Sequence, residues 1–325
     1  MESAQYPRDS RRNLAIFAIS FALILSTTAV GLRLLSRKIT KSRMYLDDHL
    51  IILALIFKYG CSFGAVGMLY NGLGTHIWLV PAERLTTYLE IVYAGSFLYT
   101  GCITFIKLSI LSFYKRLFPV KPMVIAVNLV GSLVILWCFS VCLVGGLVCI
   151  PVDKLWNPAI VGGCLDLAKF YYGLQIPNIA TDAIILVMPM KIVWGLQMAK
   201  AQKVILCGIF MVGALTLIFD MIRLAVMIRL SQEGDDVTCK VFESVVGRSL
   251  TRGYKTDNQT PASAWTCIEA AVGIMAACLP SLRPLLTTFN KHVWYKLSTR
   301  KTSSNKGESG ESGKSLESPC RNSVA

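Results

Sequence analysis

The chain has 325 residues, 54% of them hydrophobic, and a mean hydropathy of +0.55. It is too apolar for a soluble domain of ordinary composition. A formal net charge of +14 would suit nucleic acid in a soluble protein. Here the basic residues flank long apolar runs, which assigns them to membrane orientation and anionic lipid and leaves no expectation of a nucleic-acid partner.

Seven apolar runs lie at 13–32, 49–69, 88–113, 124–149, 170–190, 204–227 and 264–288. Each is about the ~20 residues that a spanning helix needs. The runs are continuously apolar rather than alternating, so helices are expected and not a barrel. The expected fold is all-α: a polytopic membrane protein built as a seven-transmembrane-helix bundle. One domain over 13–290 would sit between a short extracellular N-terminus, 1–12, and a disordered cytoplasmic tail, 291–325. That tail is rich in Ser, Gly, Glu and Lys and has little to bury.

The first run follows Arg11 and Arg12. It exceeds the roughly 7–15 apolar residues of a signal peptide, so it is read as an uncleaved helix. Arg33, Arg37, Lys38, Lys41 and Arg43 lie between runs one and two, whereas Arg84 alone lies between runs two and three. Short loops rich in Lys and Arg stay in the cytoplasm. The N-terminus is therefore expected outside and the C-terminus in the cytoplasm. The plasma membrane is favoured over an internal one. Trp78 and Trp156, in the outer loops, fit an interfacial aromatic belt better than a ligand contact.

Ionisable groups inside the runs carry the most chemistry, because a charge in hydrocarbon needs a partner. Sorted by depth, Asp47, Asp48, Lys107, Asp182 and Arg283 fall near the cytoplasmic face. These are expected to form an intramembrane ionic network, with Lys107 pairing to Asp48 or Asp182. Glu90, Asp220, Arg223 and Glu269 fall near the outer face and are the candidate ligand-binding residues. Asp220 and Arg223 share a helix face. Lys58 alone sits at mid-helix. Pro177 and Pro280 are expected to bend runs five and seven.

Most of the eleven cysteines lie within the runs and act as small apolar residues. Cys149 and Cys164 would face the oxidising side, where a bridge between them would contribute roughly 3 kcal/mol. Cys102 is the competing partner for Cys164, though it lies deep in run three. No spacing suggests a metal site.

Several motifs together resemble one family. They are Arg33…Arg37…Tyr45-Leu46-Asp47-Asp48, then Gly72-Leu73-Gly74-Thr75-His76, then the stretch from Lys107 through Tyr114-Lys115-Arg116-Leu117-Phe118. Cys149-Ile150-Pro151, Trp156 and Cys164 follow, then Asn178…Asp182…Pro189…Trp194…Leu196. Last come Trp265…Ile268-Glu269 and Cys278-Leu279-Pro280-Ser281-Leu282-Arg283-Pro284. In this order, across about 13–290, they resemble the fungal rhodopsin-like integral membrane proteins. That resemblance implies a seven-helix receptor-like bundle of a kind also encoded in secondary-metabolite gene clusters. Residues 239–260 depart from the family pattern and read as an insertion or a gene-model artefact.

The expected function is a GPCR-like receptor or sensor for an unknown small-molecule ligand, with a cytoplasmic signalling partner. The alternative is a membrane-embedded enzyme or transporter acting on a lipophilic secondary metabolite. No catalytic motif such as HExxH or GxSxG is present, which weighs against the enzyme. No cofactor is expected. Retinal is disfavoured because run seven lacks a lysine for a Schiff base.

Overall fold

The computed structural model describes residues 6–71, 82–156, 160–165, 167–190, 208, 210–218, 220, 221, 224 and 261–282. The chain divides into a unit over Met1–Ser281 and another over Leu282–Ala325, and the elements that follow belong to the first. Arg223, Arg283, His76, Trp78, the segment 239–260 and the tail 291–325 lie outside the described residues.

The described residues are mostly helical. In order come α1 (Tyr6–Ile39), α2 (Leu46–Tyr70), α3 (Ala82–Leu117), α4 (Lys121–Gly146) and α5 (Leu167–Val187). The helical residues at 208, 210–218, 220, 221 and 224 form α6. Next comes α7 (Pro261–Cys278), followed by a 3-10 turn, Leu279–Leu282. Among the described residues, four stretches are long and apolar enough to cross a membrane: Ile16–Ile39, Leu46–Tyr70, Thr86–Leu117 and Lys121–Gly146. Thr266–Leu282 is apolar but shorter.

Two helices outrun their apolar runs. α1 continues through Arg33 to Ile39, and α3 continues through Arg116 to Leu117. Both arginines pair with carboxylates of α2, so neither ends its helix. The second turn of chain, at α2, begins where the backbone N–H of Tyr45 donates to Asp48 Oδ2 at 3.1 Å. This bond satisfies a donor at the helix start.

Burial is inverted relative to a soluble protein. Arg33, Asp47, Asp48, Lys58 and Lys107 are buried, while Phe17 is 69% exposed and Phe139 64% exposed. Charges turned inward and large apolar side chains turned outward are what a lipid solvent selects. α3 is the central helix. With α1, α2 and α7 it encloses Val30, Ile51, Ala54, Cys102, Ile106 and Ile274. With α4 and α5 it encloses Leu111, Tyr114, Val127, Val134 and Ile185.

α2 and α3 pack closest where Gly101 faces Phe57. A Cβ at Gly101 would lie 2.6 Å from the Phe57 ring, which is itself backed by Phe105 at 5.2 Å between centroids. Gly101→Ala is therefore expected to cost about 1–3 kcal/mol as overpacking. A lower melting temperature in detergent would show it. Gly95→Ala, with nothing within 4 Å of its Cβ, should not lower it.

After α4 the chain forms a two-stranded hairpin, β1 (Cys149–Ile150) and β2 (Gly163–Cys164), in antiparallel register Cys149↔Cys164. The two cysteines are disulfide-bonded, and Cys102 stays free within the core. Lys154 Nζ donates to the Gly162 carbonyl across the hairpin loop. Trp156 meets Tyr93 of α3 edge-on at 6.2 Å.

Candidate functional site

Two polar centres lie inside the bundle. The first joins α1, α2, α3 and α7. Arg33 Nη2 meets Asp47 Oδ2 at 2.6 Å, its Nε meets Asp48 Oδ1 at 2.8 Å, and its Nη1 donates to the Ala277 carbonyl at 2.7 Å. Arg37, one turn on, reaches the same two carboxylates at 3.3 and 3.1 Å. Arg116 Nη1 comes from α3 to Asp47 Oδ1 at 2.9 Å and stacks over the Tyr45 ring at 4.4 Å. Ser109 Oγ donates to the Asp47 carbonyl, and Ser36 Oγ to the Ser281 carbonyl.

Asp47 and Asp48 thus sit in a network, but with arginines rather than with Lys107. Sequence reasoning missed Arg33, Arg37 and Arg116 as partners because it counted them as loop charges. The available signal was spacing. Arg33 and Arg37 are four apart and share a helix face.

The second centre lies between α3, α5, α6 and α7. Lys107 Nζ donates to the Asn178 carbonyl at 2.8 Å, to Asn178 Oδ1 at 2.7 Å and to Thr181 Oγ1 at 2.8 Å. It also pairs with Asp182 Oδ2 at 2.9 Å. Pro177 removes a backbone donor from α5 just before this cluster. Trp137 of α4 braces the same region, donating to the Leu174 carbonyl at 3.1 Å. Its ring lies 5.7 Å from Lys107 Nζ.

Beside Lys107 opens a cavity of about 80 Å³. One water needs roughly 10–15 Å³ on this measure, so the space admits several waters or a small organic group. Asp182, Asp220 and Glu269 line it, along with apolar groups such as Ile106, Leu186 and Ala276. Asp220 is 3% exposed and accepts from Gln175 Nε2 at 3.4 Å. Glu269 is 4% exposed and accepts from the Tyr99 hydroxyl at 2.6 Å.

This cavity merges what depth sorting had separated. Depth along the sequence places Lys107 and Asp182 near one face, Asp220 and Glu269 near the other. Counting residues from helix ends treats every helix as starting at the same depth, and α3 at 36 residues and α5 at 21 do not. Glu90 is exposed on α3 and is not among the cavity-lining residues. Arg223 and Arg283, proposed for the two sets, lie outside the described residues. Lys58, fully buried in α2, donates to Ser62 Oγ at 3.0 Å.

The sequence matches the fungal rhodopsin domain over residues 32–288. The chain belongs to the fungal rhodopsin family. It is therefore a multi-pass membrane protein. Among this family member's relatives is the polyenoic acids biosynthesis gene cluster protein Ba17b of Metarhizium anisopliae. The two are 29% identical over 283 residues, 81% of this chain and 70% of the relative. Receptor GIN3 of Arthrobotrys oligospora is 25% identical over 324 residues, 94% of this chain and 71% of the relative. A SAT4 family membrane protein of Emericella nidulans is 25% identical over 232 residues, 70% of this chain and 53% of the relative. The chain thus spans about half the length of that last protein. No solved structure matches.

Proposed function

We propose that the chain is a seven-helix receptor whose ligand enters the cavity beside Lys107 and whose signal leaves through the arginine network. The observation that carries this reading is that α3 and α7 each serve both centres. α3 bears Lys107 at the cavity and Arg116 in the network. α7 bears Glu269 at the cavity, and its Ala277 carbonyl holds Arg33. A ligand that binds one arrangement of these helices better than another shifts the population toward it, and the Arg116–Asp47 pair shifts with it. Arg116 is well placed to be read by a cytoplasmic partner, being partly exposed at the helix end.

Two signals support the orientation, N-terminus outside and C-terminus in the cytoplasm. Basic residues crowd the connection after α1 and the end of α3. The disulfide-bonded hairpin follows the opposite end of α4, as expected for the oxidising side. The remaining expectations, a plasma-membrane location and no retinal or other cofactor, accompany this reading. The similarity to a protein named a receptor supports it as well.

A second reading has its own support. Two buried carboxyls at one cavity, Asp220 and Glu269, could do acid–base work on a lipophilic metabolite. Relatives are named for biosynthetic clusters. Metabolite profiling of a deletion strain separates the two. A receptor is expected to change which genes are expressed and to leave no single precursor accumulated. An accumulated precursor that vanishes on complementation would favour the enzyme.

A further inference from the structure

We propose that the end of the bundle carrying the arginine network binds one lipid headgroup bearing several phosphates, of the phosphoinositide class, between the α1–α2 and α3–α4 connections. This rests on the reading that that end faces the cytoplasm. The α1–α2 connection brings Arg37, Lys38, Lys41 and Arg43, and the end of α3 and start of α4 bring Arg116 and Lys121. Neither connection holds an Asp or Glu. Asp47 and Asp48, which open α2, are buried and already held by Arg33, Arg37 and Arg116. Three arginines on two carboxylates leave the network itself positive. Lys38, Lys41, Arg43 and Lys121 are exposed, and among the described residues none of these four meets a carboxylate.

Tyr45 brings the two connections to one place. Arg116 lies 4.4 Å and Arg37 5.5 Å from the centre of its ring. Arg116 gives Nη1 to Asp47, and its Nε and Nη2 meet no acceptor among the described residues. A guanidinium has five N–H donors, and its fork fits phosphate oxygens. α1 ends in a tight turn, in which the Lys41 N–H donates to the Lys38 carbonyl at 3.2 Å and the Ser42 N–H to the Arg37 carbonyl at 3.1 Å, with Lys41 at φ 48°. That turn fixes where Lys38, Lys41 and Arg43 leave the backbone. Cations gathered in this way favour an anion with several phosphates over a lipid with a single charge. Ile39, Met44 and Leu46 are exposed on the same connection. Apolar side chains beside cations suit the boundary between headgroups and acyl chains, and a soluble acidic peptide offers them no counterpart.

The test is native mass spectrometry of the full chain released from phosphatidylcholine nanodiscs that also hold phosphatidylinositol bisphosphate or, at matched total charge, phosphatidylserine. The chain is expected to retain one bisphosphate lipid saturably and phosphatidylserine far less. Lys41→Gln with Arg43→Gln should weaken the apparent affinity by about tenfold or more, the scale for two basic residues at a lipid surface. Lys38→Gln with Lys121→Gln should do the same, which covers a failure of the first pair to fold. Arg84→Gln with Lys154→Gln removes two charges from the opposite end of the bundle and should leave retention unchanged. Equal retention of the two lipids, retention of neither, or the same result in all three double variants would overturn the proposal. Capture of polyglutamate without either lipid would overturn it too, in favour of an acidic protein partner. Nanodiscs offer the lipid at both ends, so this result does not depend on orientation. A C-terminal tag reached by protease from outside intact cells would sink the orientation separately.

Discussion

Arg33→Leu is expected to give a chain that fails to accumulate as a folded, monodisperse protein. Arg33 is fully buried and uses three nitrogens on three partners. Its loss leaves Asp47 and Asp48 buried with only Arg37 and Arg116, which reach them from the partly exposed rim. Breaking a buried pair by removing one partner costs roughly 3–5 kcal/mol, because the other charge is left uncompensated. That is a large share of the total stability of a typical domain. The Ala277 carbonyl loses its donor as well, which loosens α7 from α1. Size-exclusion profiles of a fluorescently tagged protein would read the effect. Adding Asp48→Asn to Arg33→Leu should recover part of the folded fraction, since it removes one stranded charge. A normal profile for Arg33→Leu alone would mean that the network contributes little to the fold.

The second large effect concerns Lys107. Lys107→Met is expected to cost a similar ~3–5 kcal/mol, for it strands Asp182 and two polar groups of α5 at once. Asp182→Asn should cost less, because its amide oxygen can still accept from Lys107 and its side chain is not fully enclosed. The two residues should couple. Lys107→Met with Asp182→Leu should fall short of the summed single effects by roughly 0.5–3 kcal/mol. Melting temperatures of the two single variants and the double variant would measure this. Strict additivity would exclude the pair as an energetic unit.

Much of this architecture was legible from residues alone. Continuous apolar runs and the order of the motifs pointed to the membrane and to the family. Lys107 and Asp182 stood out because charges in such runs are rare. What could not be read was partnership. Arg33, Arg37 and Arg116 look like loop charges in one dimension, since each lies at the edge of an apolar run. Only the packing of α1 against α2 and α7, and of α3 against α2, turns them inward. Helix ends failed for the same reason. α1 runs six residues beyond Arg33 because Asp47 and Asp48 neutralise the charge. The cavity was split between two imagined faces because depth was counted along each helix separately. Side-chain periodicity says which residues share a face, but not which face of which neighbour they meet.

The central claim, that the cavity beside Lys107 is where this protein works, is tested most directly by filling it. A Cβ at Gly273 would sit in ordinary contact with Ile106, at 3.5 and 3.6 Å, so the backbone tolerates a side chain there. Leucine would project its branch into the space. The measurement is the transcript profile of a deletion strain complemented with wild type, Gly273→Ala or Gly273→Leu, each shown to reach the membrane at equal level. Wild type and Gly273→Ala are expected to restore the profile, while Gly273→Leu leaves it like the deletion. Full restoration by Gly273→Leu would contradict the account.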